Sequence, residues 1–177
     1  MTYDGEELER ALVSLFEDGL GAALETVAAR KSEDTGIELT EPVYYWRGYR
    51  GWMLDLPSTS FPILLGMALQ REPTDGRFDQ GGMQEVAWAA MITIFVIGST
   101  EQEAVTKAHR YAEAICEVLY DNPEIYGYSR VDYEPAVRIL ADNEKHMTAG
   151  TTGSQLSDDD YDYVRMVEVT QTLEGIP

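Results

Sequence analysis

The chain has 177 residues, with 32 acidic side chains against 13 Lys and Arg, for a formal net charge of −19. That length suits one domain burying about two-thirds of its unfolded surface. An apolar fraction of 44% with 11 Tyr excludes a disordered acidic chain, and the acidity argues against duplex DNA as the main partner, since that binding rests on basic patches.

No run approaches the ~18 consecutive apolar residues of a membrane span. Met1-Thr2-Tyr3-Asp4 lacks the basic, apolar and cleavage regions of a secretory signal. The single cysteine, Cys116, excludes an internal disulfide and a multi-thiolate metal site. The expectation is a soluble, intracellularly made, single-domain protein spanning residues 1–177.

In chain order, the first predicted element is a helix from about Glu6 to Arg30. Asp4 and Glu7 have capping-box spacing. Leu8, Leu12, Leu15, Phe16, Leu20, Ala23, Leu24 and Val27 then recur along one face. Gly19 and Gly21 weaken its middle and could kink it, each costing ~1 kcal/mol relative to Ala. Residues 43–54 form an aromatic ribbon with two glycines, read as a short strand. Ile63–Leu69 is an apolar run suited to a buried strand, and 71–82 are dense in turn residues. The strongest strand signal runs from Glu85 to Ile97.

Gly98 stops that strand, and a helix starts at once. Its capping box is either Ser99 with Gln102 or Thr100 with Glu103. Ala104, Ala108, Tyr111, Ala112, Ile115 and Leu119 line its inner face, and Asn122-Pro123 ends it. Tyr128–Ala141 reads as one extended stretch, with Pro135 forcing an edge or a bulge. Residues 142–160 read as a long polar loop, and Tyr161–Leu173 as the closing strand. The expected fold is α+β: a single mostly antiparallel sheet with two helices packed on one face and long hairpin loops.

Catalytic constellations do not emerge. His109 and Cys116 share a helix but stand roughly 10 Å apart along its axis at a ~1.5 Å rise per residue, too far for a nucleophile and its base. His146 stands alone in the polar stretch. A calcium loop beginning at Asp158 would put Tyr163 and Val169 where Gly and Glu are needed. Gly81-Gly82 and the 150–154 segment match no phosphate loop. No catalytic residue, cofactor or metal site is expected.

The sharpest compositional anomaly is Tyr44, Tyr45, Trp46, Arg47, Tyr49, Arg50 and Trp52. Tyr, Trp and Arg are the residues enriched at protein interfaces, so these seven are the candidate docking surface, with core packing as the alternative; a single-strand stacking platform has only two arginines to support it in this acidic chain. Asp158, Asp159, Asp160 and Asp162 form a second candidate group.

The element order and several strings resemble the tail-terminator (tail-completion) proteins of long-tailed bacteriophages. The matching features are the leading helix, FPILLGMAL, WAAMITIFVIG, the capped helix STEQEAVTKAHRYAEAICEVLYDNP and the closing YDYVRMVEVTQTLE, together covering about Leu8 to Leu173. The resemblance implies a structural virion protein without cofactor or turnover. Such proteins form a ring, usually a hexamer, that caps the tail tube, stops its polymerisation and joins tail to head. The implied partners are further copies of the chain, the tail tube protein and neck proteins, with no membrane. DNA would pass through without specific binding. The aromatic ribbon and the acidic 142–160 stretch match no pattern of that family; from their charge alone Asp158, Asp159, Asp160 and Asp162 are candidate channel-lining acids, with a solvated outer loop as the alternative. A head–tail connector or stopper of the neck is the alternative in that class. A small oligomeric α+β enzyme or ligand-binding domain is the alternative outside it.

Overall fold

The computed structural model describes residues 5–31, 36–48, 58–71, 86–132, 134–147 and 161–175. Helix α1 spans Gly5–Arg30, with Glu6 and Glu7 in its first turn and Arg30 in its last, each suited to the helix dipole. Leu8, Leu12, Phe16, Leu20, Leu24 and Val27 are buried, as their spacing predicts, and Val13 joins them. The helix runs unbroken through both mid-helix glycines. Gly21 occupies a crowded place, whereas Gly19 meets only ordinary van der Waals contact. A Cβ on Gly19 would lie 3.6 Å from a Val118 methyl, and one on Gly21 would collide with the Glu41 carboxylate.

Helix α2 spans Glu101–Asp121. Thr100 is its N-cap, and its hydroxyl accepts from the Glu103 amide at 3.1 Å. The Glu103 carboxylate reaches back one residue further than a capping box requires, accepting from the Ser99 amide at 2.9 Å and the Ser99 hydroxyl at 2.6 Å. Of the two boxes the sequence offers, the fold uses Thr100 with Glu103. All six residues expected on the inner face are buried, together with Ala114 and Val118.

Among the described residues, seven strands form one sheet: β1 (Tyr44–Arg47), β2 (Ile63–Arg71), β3 (Val86–Gly98), β4 (Glu124–Ile125), β5 (Tyr128–Arg130), β6 (Ala136–Met147) and β7 (Tyr161–Gly175). The order is β1-β2-β3-β7-β5-β4, with β6 pairing β7 beside β5. Every pairing is antiparallel except β1 with β2. The fold is therefore α+β with a mostly antiparallel sheet.

Two expectations are corrected. Tyr128–Ala141 is two strands: β5 ends at Arg130, and pairing with β7 resumes where Ala136 meets Thr170. Pro135, which has no amide to donate, lies in that interruption. Residues 142–147 are strand, because β6 continues to Met147 after an irregularity between Ala141 and Lys145. Polar edge strands resemble loops in sequence, since their side chains need not alternate with a core. A two-residue turn, Tyr126-Gly127 with φ of 52° and 77°, joins β4 to β5.

Register explains the core. Leu64, Ile94, Val167 and Ile139 are cross-strand neighbours on the face beneath the helices. There they join Trp88, Ile92, Val96, Ala108, Ile115 and Leu119 in the main cluster. Gly66 on β2 brings α1 close, since a Cβ there would lie 2.9 Å from a Val13 methyl. A second cluster of Phe61, Ile63, Leu65, Phe95 and Val164 is buried on the opposite face. Both faces of β3 are thus covered, which accounts for its nearly continuous apolar run.

Candidate protein-interaction surface

The aromatic ribbon is divided by the pleat. Parallel pairing sets Tyr44 beside Ile63 and Trp46 beside Leu65, both on the second-cluster face. Their rings stack at 5.0 Å between centroids and 23° between planes. Tyr45 and Arg47 point to the helix face, where Tyr45 packs against the main cluster. Backbone bonds hold both ends of the strand: the Val43 amide donates to the Pro62 carbonyl at 2.8 Å, and the Gly48 amide to the Gly66 carbonyl at 2.9 Å.

So the ribbon is neither one exposed surface nor one buried element. Tyr44 and Arg47 are exposed, while Tyr45 and Trp46 are half-buried. Tyr49, Arg50 and Trp52 lie outside the described residues.

Arg47 belongs to a small ion-pair group at the start of α1. The Glu6 carboxylate accepts from Arg47 at 3.1 Å and from Arg10 at 3.1 Å, and Arg10 also meets Glu7 at 3.0 Å. The Arg47 hydrogen bond and charge, followed by the Arg10 charge, hold the Glu6 carboxyl below its ordinary range. Arg10, Val13, Ser14, Glu17, Tyr45, Trp46 and Arg47 line a cleft of about 420 Å³ between α1 and β1. The Tyr45 hydroxyl is enclosed without a hydrogen-bond partner among the described residues. Burial first, then the charges of Glu41 and Glu17, raise its pKa far above the ordinary phenol value. Glu6 and Arg10 were legible as an i,i+4 pair. Their link to Arg47 was not, because it depends on β1 lying parallel to β2.

Elsewhere the charged groups do structural work. Arg165 is buried on β7 and pairs with Glu101 at 2.9 Å, tying the start of α2 to the sheet. Arg30 joins both Glu113 and Glu117 across the helix pair. Burial disfavours the charged form of Glu103. Hydrogen bonds from Lys107 and Ser99 nevertheless hold its pKa below the ordinary value.

His109 is exposed on α2, whereas Cys116 is half-buried. Burial, then Glu113, Glu117 and Glu134, raise the thiol's pKa, the opposite of what a nucleophilic thiolate needs. Among the described residues, no three metal-ligating side chains come together. His146 lies on β6 opposite Asp162 on β7, so neither belongs to a loop. Asp158, Asp159 and Asp160 fall outside the described residues. Among those described, no helix is long and apolar enough to cross a membrane.

No protein-family model matches the chain, and no curated protein matches it.

Proposed function

We propose that this chain is a ring-forming structural protein of a phage tail, acting as a terminator. In this reading, identical subunits close into a ring, six in number by the resemblance, on the head-proximal end of the tail tube. The ring stops tube polymerisation and offers its other face to neck proteins. Subunits assemble in the host cytoplasm and end in the virion, and DNA passes through the ring without specific binding.

The observation that carries the reading is the state of the sheet's two edges. β1 and β6 lie on opposite sides of the sheet, and each bears exposed large apolar side chains: Val43 and Tyr44 on or beside β1, Val137 and Leu140 on β6. Among the described residues no further strand pairs with either edge, and such edges template pairing with other chains. The element order and the helices gathered on one face support the same reading.

Mass by light scattering, combined with negative-stain imaging, tests it. Annular particles with an open centre and a mass of six subunits are expected. Compact dimers would overturn the ring and favour a ligand-binding domain.

A further inference from the structure

Cross-strand register traces complete rows of side chains from one edge of the sheet to the other. On the face away from the helices, one row runs Tyr44, Ile63, Phe95, Met166, Leu140. Ile63 and Phe95 in its middle are buried at 0% and 4% exposure. Its two ends, Tyr44 and Leu140, are each 40% exposed. The row is apolar throughout and stops at both edges without cover among the described residues.

A second row on the same face runs Trp46, Leu65, Thr93, Glu168, Arg138. This one ends in an indole on β1 and a guanidinium on β6, a pair that attracts through the ring's negative face. Strand direction agrees as well. β1 is parallel to β2, and three antiparallel steps then lead through β3 and β7 to β6, so β6 runs antiparallel to β1. A second copy in the same orientation therefore brings its β1 antiparallel to the first copy's β6.

We infer that subunits join head to tail through these edges, β1 of one copy adding to β6 of the next. The sheet then continues across the boundary, with Tyr44 beside the neighbour's Leu140 and Trp46 beside its Arg138. This is strand addition with side-chain specificity on one face. A two-residue shift toward the start of β6 sets Trp46 against Ala136 and takes Tyr44 off Leu140, breaking the apolar row at the boundary. Because the two edges differ, the contact is heterologous, the kind that closes into rings or extends into filaments. The inference rests on the ring reading and adds which surfaces meet, and in what register.

Paired cysteines test it in a Cys116→Ser background. Facing residues of antiparallel strands sit about 4.5–5.5 Å apart between Cα atoms, inside the ~4.4–6.8 Å range that a disulfide bridges. Mixing a Tyr44→Cys protein with a Leu140→Cys protein under copper-phenanthroline should give a cross-linked dimer. Neither protein alone should give one. The double variant should give a ladder of covalent multimers. Leu140→Arg should keep the monomer's Tm, because the site is partly exposed, yet abolish multimers in light scattering.

Dimers from Leu140→Cys alone would mean β6 pairs with itself, and would overturn the inference. Wild-type rings with no cross-link in the mixture would also overturn it, while leaving the ring reading intact. A wild-type chain that stays monomeric at all concentrations would sink both.

Discussion

Tyr111 and Tyr45 present the same phenol in two different settings. Tyr111 lies under α2 in the main cluster, where its hydroxyl donates to the Thr40 carbonyl at 2.6 Å and accepts from the Thr40 amide at 3.1 Å. Tyr45 lies on the edge strand β1, its hydroxyl enclosed and without a partner among the described residues. In the main cluster the Tyr111 hydroxyl completes both of its bonds while apolar surface is buried around it. The edge leaves polar and apolar groups incomplete. A region finished in this way serves stability, and one left unfinished is where a neighbouring chain adds contacts.

The largest expected effect lies in the centre. Ile115 is fully buried between α2 and the sheet, so Ile115→Ala should leave a cavity and cost ~2–5 kcal/mol in urea unfolding. Leu140→Ala removes a similar side chain from the β6 edge and should cost the monomer less than ~1 kcal/mol. Equal losses at the two sites would erase the distinction between centre and edge.

Next in size is Tyr111→Phe. Removing this hydroxyl leaves the Thr40 amide and carbonyl to find new partners, for an expected loss of ~1–3 kcal/mol by chemical denaturation. A loss below ~0.5 kcal/mol would show that water replaces the hydroxyl readily, and that the strap around Thr40 is open to solvent.

The same division decides what could be read from the sequence. In the centre, local patterns and tertiary packing agree. Leu8 to Val27 on α1 and Ala104 to Leu119 on α2 announce their buried faces by helical spacing, and Asn122 caps α2 where Asn122-Pro123 predicts its end. Ile115 and Leu119 share a cluster with Trp88, Ile92, Ile94 and Val96, as the apolar stripe implies. The second cluster around Phe95 was legible only in part. Alternate residues of β3 are apolar on both faces, but what covers the far face is set by chain segments distant in sequence.

At the edges, local pattern and tertiary position part company. β1 was legible as a strand, yet its parallel pairing with β2 was not, because register between non-adjacent segments leaves no local trace. The Glu6–Arg10–Arg47 group follows from that pairing and was missed with it. Residues 142–147 looked like loop because an edge strand that is polar on both faces lacks alternation. Of the seven ribbon residues, the structure resolves Tyr44 and Trp46 onto one face and Tyr45 and Arg47 onto the other, a distinction that composition cannot make.

The smallest effect expected is Tyr45→Phe, and it tests the edge most directly. Its hydroxyl is enclosed without a partner among the described residues, so deleting it should change stability by no more than ~1 kcal/mol, in the stabilising direction. The pH dependence gives the sharper readout. Burial, followed by Glu41, Glu17 and Tyr111, raises the Tyr45 pKa in the fold above its ordinary value of 10.0. A raised folded pKa means that the native state holds this proton more tightly than the unfolded chain does. Below about pH 10 both states are protonated and the native preference is fully present; above it, the unfolded chain ionises first and stability falls. Tyr111, also raised chiefly by burial, contributes in the same direction. Guanidinium unfolding at pH 9 and pH 11 should therefore show a loss in the wild type that is smaller in Tyr45→Phe and remains through Tyr111. An unchanged alkaline loss in Tyr45→Phe would mean that the edge phenol is solvated, and that both tyrosines are satisfied alike.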